Sequence, residues 1–232
     1  MTARTRGVPV ADIERRRDAL LVLDIDEVVL QFIGPFQTLL RENGIELHFD
    51  SYKLTGNARS QATGAALASA ELDGLMQRLY AEQASRQPPA EGVQAALSAL
   101  DPDVDIVFLT AMDPDYHDER RATLDRAGLA YPMIATERSK GGVVAELARR
   151  WDGPIVFIDD LPPNLETVRR SVPHAHLVHL MAHHGFRPHL PALPKGAHAA
   201  RDWTDAEQIV RAILADAPKR RDAAATTTGR PG

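Results

Sequence analysis

Three apolar runs, each followed directly by a polar residue, constrain the fold of this chain more than any other feature. They are Leu20–Leu23, Ile106–Leu109 and Ile155–Ile158. Short apolar runs of this kind are typical of strands buried on both faces of a parallel sheet. Because crossover connections return the chain to the same side, the carboxyl ends of parallel strands share one edge of the sheet. The pattern therefore predicts an α/β fold in which three strands end at a common edge.

The residues that follow these runs are polar. Asp24 and Asp26 follow the first run, Thr110 the second, and Asp159 and Asp160 the third. Carboxylates beside a buried strand are costly unless a cation lies between them or they act as acid and nucleophile. Two solvated loop aspartates would also explain Asp24 and Asp26 by themselves. The recurrence at three strand ends favours a ligand site, since open α/β sheets bind ligands at this edge.

Lys140 is placed at the start of a predicted helix that runs to about Trp151. A lysine in the first helical turn opposes the helix macrodipole, so pairing with an anion would explain its position. A solvated lysine is the alternative. Thr110 also has a structural alternative, as a helix N-cap before the turn at Asp113 and Pro114.

The segment 34–86 interrupts the alternation of strands and helices. A helix containing Phe36 and Leu40 is predicted to end at Asn43 and Gly44, which tolerate the left-handed conformation. The elements predicted after it are an ambiguous short strand at Ile45–Phe49, a mobile loop over 51–64 and a helix over 65–85. An inserted helical piece of this size could cover the carboxyl edge as a lid.

The composition excludes several classes of protein. The 232 residues suffice for one domain and a small insertion. A net charge of −5 argues against a nucleic-acid partner. The absence of cysteine removes disulfides and thiolate zinc sites. No apolar run approaches membrane length, so we expect no membrane partner and, by default, a cytoplasmic location.

The predicted core consists of residues 18–33 and 87–216, and the two ends of the chain are predicted to lie outside it. Residues 1–17 form a lead-in that is predicted to be partly helical from Ala11. Residues 217–232 are charged and then rich in alanine, threonine and glycine, which predicts a disordered tail.

Seven of the nine histidines lie between His174 and His198. Imidazole clusters can bind zinc or nickel, but the spacing here matches no established metal pattern. Contact with a substrate and simple exposure on a proline-rich loop are the alternatives.

In four places the chain resembles the phosphatase-like members of the haloacid dehalogenase (HAD) superfamily. The four matching features are a strand ending in D-x-D-x-[T/V] at Asp24–Val28, a strand ending in Thr110, a helix-start lysine at Lys140 and a strand ending in the acidic pair Asp159 and Asp160. They occur in the family's order and cover residues 20–179. The resemblance implies a doubly wound, mainly parallel, Rossmann-like core. It also implies that 34–86 is a small helical cap of the kind called type 1. Glu27 departs from the pattern, because many relatives have glycine there.

The resemblance, together with the residue types, implies a phosphatase that acts on a small phosphate ester. Asp24 would be the nucleophile and Asp26 the general acid and base. Thr110 and Lys140 would hold the phosphoryl oxygens. The ligands of an implied Mg²⁺ would be Asp24, the Asp26 carbonyl and the acidic pair, with Asp160 in direct contact and Asp159 behind it. Lys53 and Arg59, in the insertion, are candidates for binding the other end of the substrate.

Two alternatives remain open at this level. A phosphotransferase or phosphomutase would pass the phosphoryl group to a hydroxyl instead of water. A binding or regulatory module would retain the fold, and even the metal, without turnover. A dehalogenase is disfavoured because similar enzymes of that branch lack a carboxylate at the position of Asp26.

Overall fold

The structure is a computed structural model that describes residues 3–181 and 183–217. Its strands, in chain order, are β1 Thr5–Gly7, β2 Ala19–Leu23, β3 Ile45–Leu47, β4 Ala58–Ser60, β5 Val104–Thr110, β6 Met133–Thr136, β7 Ile155–Asp159, β8 His176–Leu180 and β9 His198–Ala200. Its helices are α1 Ile33–Glu42, α2 Ser69–Ala81, α3 Gln83–Arg86, α4 Val93–Leu100, α5 His117–Arg126, α6 Lys140–Ala148, α7 Pro162–Ser171 and α8 Trp203–Asp216.

Within the described residues, seven strands form one sheet in the order β1-β6-β5-β2-β7-β8-β9. Only β1 runs antiparallel to its neighbour, and the other pairs are parallel. The predicted α/β fold with a mainly parallel, doubly wound sheet is therefore confirmed. None of the helices in the described ranges has the length and apolarity needed to traverse a bilayer.

Both faces of the central strand β2 are buried, as the unbroken apolar run predicts. Leu21 and Leu23 belong to the apolar cluster on one face, which includes side chains of α4 and α8. Leu20 and Val22 point to the opposite face, where side chains of α6 and α7 cover the sheet. The alternation follows from the period of two along a strand, so a continuous apolar sequence is needed when helices cover both sides.

The N-terminal residues depart from the prediction of a partly helical lead-in. Thr5–Gly7 forms β1, which pairs with the exposed edge of β6, and only the short 3-10 helix Val10–Asp12 is helical. Gly7 has a φ of 112°, and a Cβ at this position would lie 2.1 Å from the carbonyl oxygen of Met133. Only glycine permits this close approach. The pairing of β1 with β6 therefore depends on Gly7, and no apolar periodicity in the sequence indicates it.

The insertion is not purely helical. It contains α1, α2 and α3, but β3 and β4 also pair as a two-stranded antiparallel ribbon. The region predicted as a loop over 51–64 therefore contributes a strand. Asn57 is buried there, and its amide donates hydrogen bonds to the carbonyls of Ser51 and Lys53, 2.8 Å each. α1 ends as predicted, with Asn43 as its C-cap.

The insertion has an apolar core of its own, which includes Phe36, Leu39 and Leu79. Met181 and Phe186, from the segment after β8, belong to the same cluster. The two connections to the sheet domain run side by side, joined by backbone hydrogen bonds that include Gln31 N to Pro88 O, 2.9 Å. The predicted tail from residue 218 onward lies outside the described residues.

Candidate active site

The carboxyl ends of β2, β5 and β7 meet at one place on the sheet edge. Leu23 of β2 is in register with Phe108 of β5 and with Ile158 of β7. The backbone N–H of Asp24 continues this register by donating to the carbonyl of Ile158, 2.9 Å. Strand order diverges here, since β5 and β6 lie on one side of β2 and β7 and β8 on the other. Such a switch point opens a crevice in which doubly wound sheets bind ligands.

Lys140 joins two of the converging strand ends. Its side chain is buried, and Nζ lies 2.7 Å from Oδ1 of Asp24 and 2.6 Å from Oδ2 of Asp159. The anionic partner that would explain this helix-start lysine is therefore a pair of carboxylates, and the lysine is not solvated. Burial acts to lower the pKa of Lys140, but the charges of Asp159 and Asp24 outweigh it and raise the pKa above its ordinary value.

Gly141 allows Lys140 to reach this position. A Cβ at Gly141 would lie 2.4 Å from the carbonyl oxygen of Thr167 and 2.7 Å from Oγ of Ser171. α6 and α7 therefore pack closely at the first turn of α6. This close packing brings the lysine at the start of α6 over the end of the adjacent strand β7.

The acidic pair at the end of β7 divides into two environments. Asp159 is fully buried and accepts hydrogen bonds from Leu161 N, 2.9 Å, and from Asn164 Nδ2, 2.9 and 3.1 Å to its two oxygens. Asp160 lines the cavity described below, whereas Asp159 is not among its lining residues. That Asp160 contacts a metal directly and Asp159 supports it stays a prediction.

The donor set fits a hard divalent cation. One carboxylate oxygen from each of Asp24, Asp159 and Asp160 lies within 4.8 Å of the others. Three carboxylates and the single ammonium of Lys140 carry a formal charge of −2. A divalent cation would neutralise that charge, and Mg²⁺ prefers carboxylate oxygen ligands.

Burial, and after it the neighbouring negative charges, raise the pKa values of two of these carboxyl groups. Burial raises the pKa of Asp24 to about 7, and the charge of Asp159 adds to the rise while Lys140 opposes it. Burial, followed by the charges of Asp159 and Asp24, raises the pKa of Asp160 well above its ordinary value. A bound cation would favour the ionised forms of both groups.

The hydroxyl of Thr110 accepts one hydrogen bond from the protein and can still donate another. Its side chain is 1% exposed, and Oγ1 accepts a hydrogen bond from the backbone N–H of Met112, 3.0 Å. The alternative that Thr110 is a helix N-cap is therefore wrong, because Thr110 is the last residue of β5 and Asp113 caps the following 3-10 helix. A hydroxyl that accepts one bond can still donate another, and Thr110 also lines the cavity.

Asp26 has a buried partner that the sequence did not indicate. Nη1 of Arg120 lies 2.9 Å from Oδ1 of Asp26, and Nε2 of Gln87 donates to the same oxygen at 3.0 Å. Arg120 is fully buried, although α5 is strongly polar and resembles a solvated helix in sequence. Gln83 accepts from Nε of Arg120, and the ring of Tyr80 lies 5.6 Å from its guanidinium.

Glu27 adopts a backbone conformation that is unusual for its residue type. Its φ is 63°, in the left-handed region where the resemblance leads us to expect glycine. The carboxylate accepts hydrogen bonds from the backbone N–H groups of Phe32, 3.1 Å, and Ile33, 2.9 Å. Burial raises the pKa of Glu27, while these two N–H groups oppose the rise. Glu27 thus joins the loop after β2 to the start of α1.

A cavity of about 460 Å³ lies over these groups, between the sheet edge and the insertion. Asp24, Asp26, Thr110, Lys140 and Asp160 all line it. The proposed substrate residues of the insertion differ in position. Lys53 lines the cavity, whereas Arg59 is outside the lining and pairs with Asp50 at 2.6 Å.

The histidines are dispersed among different roles. Nε2 of His179 lies 2.9 Å from the carbonyl oxygen of Asp160, and the ring of His183 packs near Phe49 and Phe186. Over residues 3–181 and 183–217, no group of three or more potential metal ligands includes a histidine. The described structure thus offers no support for a zinc or nickel site.

Comparison with protein-family models and with curated proteins gives no match. Solved structures give many, of which three are representative. A haloacid dehalogenase-like protein of unknown function from Agrobacterium tumefaciens has a TM-score of 0.58 at 15% identity, covering 85% of this chain and 99% of its own. A HAD-hydrolase, YfnB from Bacillus subtilis, solved with magnesium, gives 0.56 at 13%, covering 84% and 99%. A HAD family hydrolase from Deinococcus radiodurans, solved with phosphate and sodium, gives 0.53 at 15%, covering 85% and 97%. The resemblance to the HAD superfamily is thereby confirmed for the fold, and the residue roles remain predictions.

Proposed function

We propose that this chain is a phosphatase that hydrolyses a small phosphorylated metabolite through an aspartyl-phosphate on Asp24, with Mg²⁺ as its cofactor. The observation that carries the proposal is the contact of one buried ammonium, that of Lys140, with Asp24 and Asp159. Thr110 and Asp160 line the same cavity as this pair. Similar folds solved with phosphate or magnesium are consistent with this chemistry.

In the first half-reaction Asp24 is the nucleophile. Lys140 binds Oδ1, which leaves the other carboxylate oxygen to form a bond to phosphorus as the bond to the leaving oxygen breaks. Asp26 donates its proton to that oxygen, so the alcohol departs neutral. The hydroxyl of Thr110 and the ammonium of Lys140 donate to the phosphoryl oxygens.

In the second half-reaction water attacks phosphorus and the bond to Asp24 breaks. The carboxylate of Asp26 accepts the proton from water, which restores its acid form and releases inorganic phosphate. When bound to Asp24, Asp160 and the Asp26 carbonyl, Mg²⁺ would neutralise phosphoryl charge and favour ionised carboxylates.

The proposal is tested by phosphate release from 4-nitrophenyl phosphate, with Mg²⁺ and with EDTA. We expect magnesium-dependent turnover by the parent and a loss of at least about 10³-fold in Asp24→Asn, because the nucleophile is removed. Asp103→Asn is the matched control, since Asp103 is exposed at the opposite edge of the sheet and pairs with Arg211. Turnover by Asp24→Asn at the parent's rate would refute the assignment of Asp24 as the nucleophile.

The product distribution separates the alternatives. Release of phosphate to water alone supports a phosphatase, whereas transfer to an added sugar hydroxyl supports a phosphotransferase. Absence of magnesium-dependent turnover on this probe and on a broad metabolite panel supports a noncatalytic binding module.

A further inference from the structure

The walls of the cavity differ in chemistry from its floor. The floor carries the charged groups described above, whereas the walls consist mainly of apolar side chains. The apolar lining residues are Phe32, Ile33, Leu54, Leu72, Met76, Met112, Leu161, Met181 and Phe186. They come from the insertion, from the loops at the sheet edge and from the segment after β8, so the apolar surface surrounds the space above the phosphoryl site.

The charged residues of the insertion that line the cavity, together with Thr55, lie toward solvent, whereas Tyr52 and Tyr80, which also line it, are half-buried. Lys53, Thr55 and Asp73 are all exposed, whereas Phe32, Ile33 and Leu72 are buried. A leaving group seated over the floor therefore meets apolar atoms first and charged atoms only at the rim. A polyol in that position would lose water from several hydroxyls and meet few partners besides the hydroxyls of Tyr52 and Tyr80, and each buried unpaired hydroxyl is costly.

The cavity is also larger than a phosphate ion requires. About 460 Å³ falls within the range of pockets that enclose a whole small organic ligand. Resting on the proposed function, we propose that the substrate is a phosphate monoester of an apolar alcohol or phenol, whose ring or branched chain packs between α2, the residues before α1 and Phe186.

The test compares two esters that share a primary alkyl leaving group and a six-membered ring, cyclohexylmethyl phosphate and glucose 6-phosphate. We expect kcat/KM to favour cyclohexylmethyl phosphate by about tenfold for each sugar hydroxyl left unpaired. Met76→Gln keeps the side-chain length and should lower this preference. Leu75→Gln, on the same helix but outside the cavity lining, is the matched control and should preserve it.

Acetyl phosphate reports on the chemistry without a large leaving group. Suppose that acetyl phosphate is hydrolysed and that kcat/KM for glucose 6-phosphate equals or exceeds that for cyclohexylmethyl phosphate. This result would overturn the proposal of an apolar leaving group and would leave the phosphatase proposal intact. Failure to release phosphate from all three, and from 4-nitrophenyl phosphate and the metabolite panel, would overturn the phosphatase proposal and this one with it.

Arg120 supports a second inference, from a different observation. It contacts Asp26 on one side, and Gln83, Gln87 and Tyr80 of the insertion and its return segment on the other. A fully buried guanidinium loses its hydration, so its presence needs several partners with good geometry. We infer that Arg120 is a positioning residue, which holds the carboxyl of Asp26 in place for proton transfer and ties that position to the insertion.

Leaving groups of different basicity distinguish positioning from a purely structural role. An alkoxide must be protonated as it departs, whereas 4-nitrophenolate is stable without a proton. In Arg120→Met we expect kcat for cyclohexylmethyl phosphate to fall about a hundredfold, and kcat for 4-nitrophenyl phosphate to fall less than about tenfold. Arg120→Lys, which can restore one contact to Asp26, should recover part of the loss.

Equal losses on both substrates would overturn the inference. Gln87→Met removes the second donor to Asp26 and one acceptor of Arg120, while the direct contact of Arg120 with Asp26 remains. It should show the same selectivity with a smaller loss, and it serves if Arg120→Met fails to fold. Equal losses in Gln87→Met would be equally decisive against positioning.

Discussion

Replacement of Lys140 by methionine tests the central contact of the site through stability alone. The ammonium lies 2.7 Å from Asp24 and 2.6 Å from Asp159, and all three side chains are buried. Removal of one partner from a buried ion pair costs about 3–5 kcal/mol, because the remaining charge is left uncompensated. Asp159 keeps its bonds from Leu161 and Asn164, so most of the cost is expected at Asp24.

The cost should depend on pH in a defined direction. Burial already raises the pKa of Asp24 to about 7, against an unfolded value near 4. The folded state therefore holds this proton more tightly than the unfolded state, and stability from the protonated carboxyl declines as pH rises from about 4 to 7. Without Lys140 the pKa rises further. The deficit of Lys140→Met should thus be smallest at pH 5 and largest at pH 8.

Urea denaturation of parent and variant at pH 5, 6, 7 and 8 measures this difference. At pH 8 we expect the midpoint to fall by about 1–2 M, from the cost above and a typical urea dependence for a protein of this size. Lys140→Arg keeps the charge and is the matched control. A deficit below about 1 kcal/mol at pH 8, or one that is the same at every pH, would refute the account of the buried pair.

Three further outcomes are expected. Gly141→Ala should lower the free energy of unfolding by about 1–3 kcal/mol in urea, since its Cβ would meet the backbone of α7, whereas Gly142→Ala, with open space around it, should not. Glu27→Ala should cost about 1–3 kcal/mol, because the N–H groups of Phe32 and Ile33 lose their acceptor, and an unchanged urea midpoint would contradict this role. The affinity for Mg²⁺, measured by calorimetry, should rise from pH 5 through pH 7, because Asp24 and Asp160 must both be ionised to bind the cation. A constant affinity would contradict a carboxyl with a pKa of about 7 at the site.

The parts of the fold that were predicted from the sequence are those with a local signal. The runs that became β2, β5 and β7 are apolar without interruption because helices cover both faces of the sheet. Their polar ends identified Asp24, Asp26, Thr110 and Asp160, which line one cavity, and Asp159, which lies outside its lining. The end of α1 at Asn43 was predicted because asparagine tolerates the left-handed backbone conformation, which is a property of the residue itself.

Elements without a local signal were missed. β1, β4 and β9 have only three residues each, and all three residues of β1 are exposed. Such strands form because an edge strand or a ribbon partner supplies hydrogen bonds, and no periodicity of their own indicates it. The insertion was accordingly predicted as helical, although a ribbon joins its helices.

By itself, then, the amino-acid sequence determined the α/β architecture, the parallel strand ends and the chemical groups delivered to them, since these follow from hydrophobic period and chain direction. Only the tertiary structure decided which groups touch. Arg120 reaches Asp26 across 94 positions of sequence, from a helix whose composition indicates a solvated surface. The apolar walls over the phosphoryl site likewise combine segments far apart in the chain. Contacts of this kind depend on how α5 and the insertion pack together, and no local pattern records that packing.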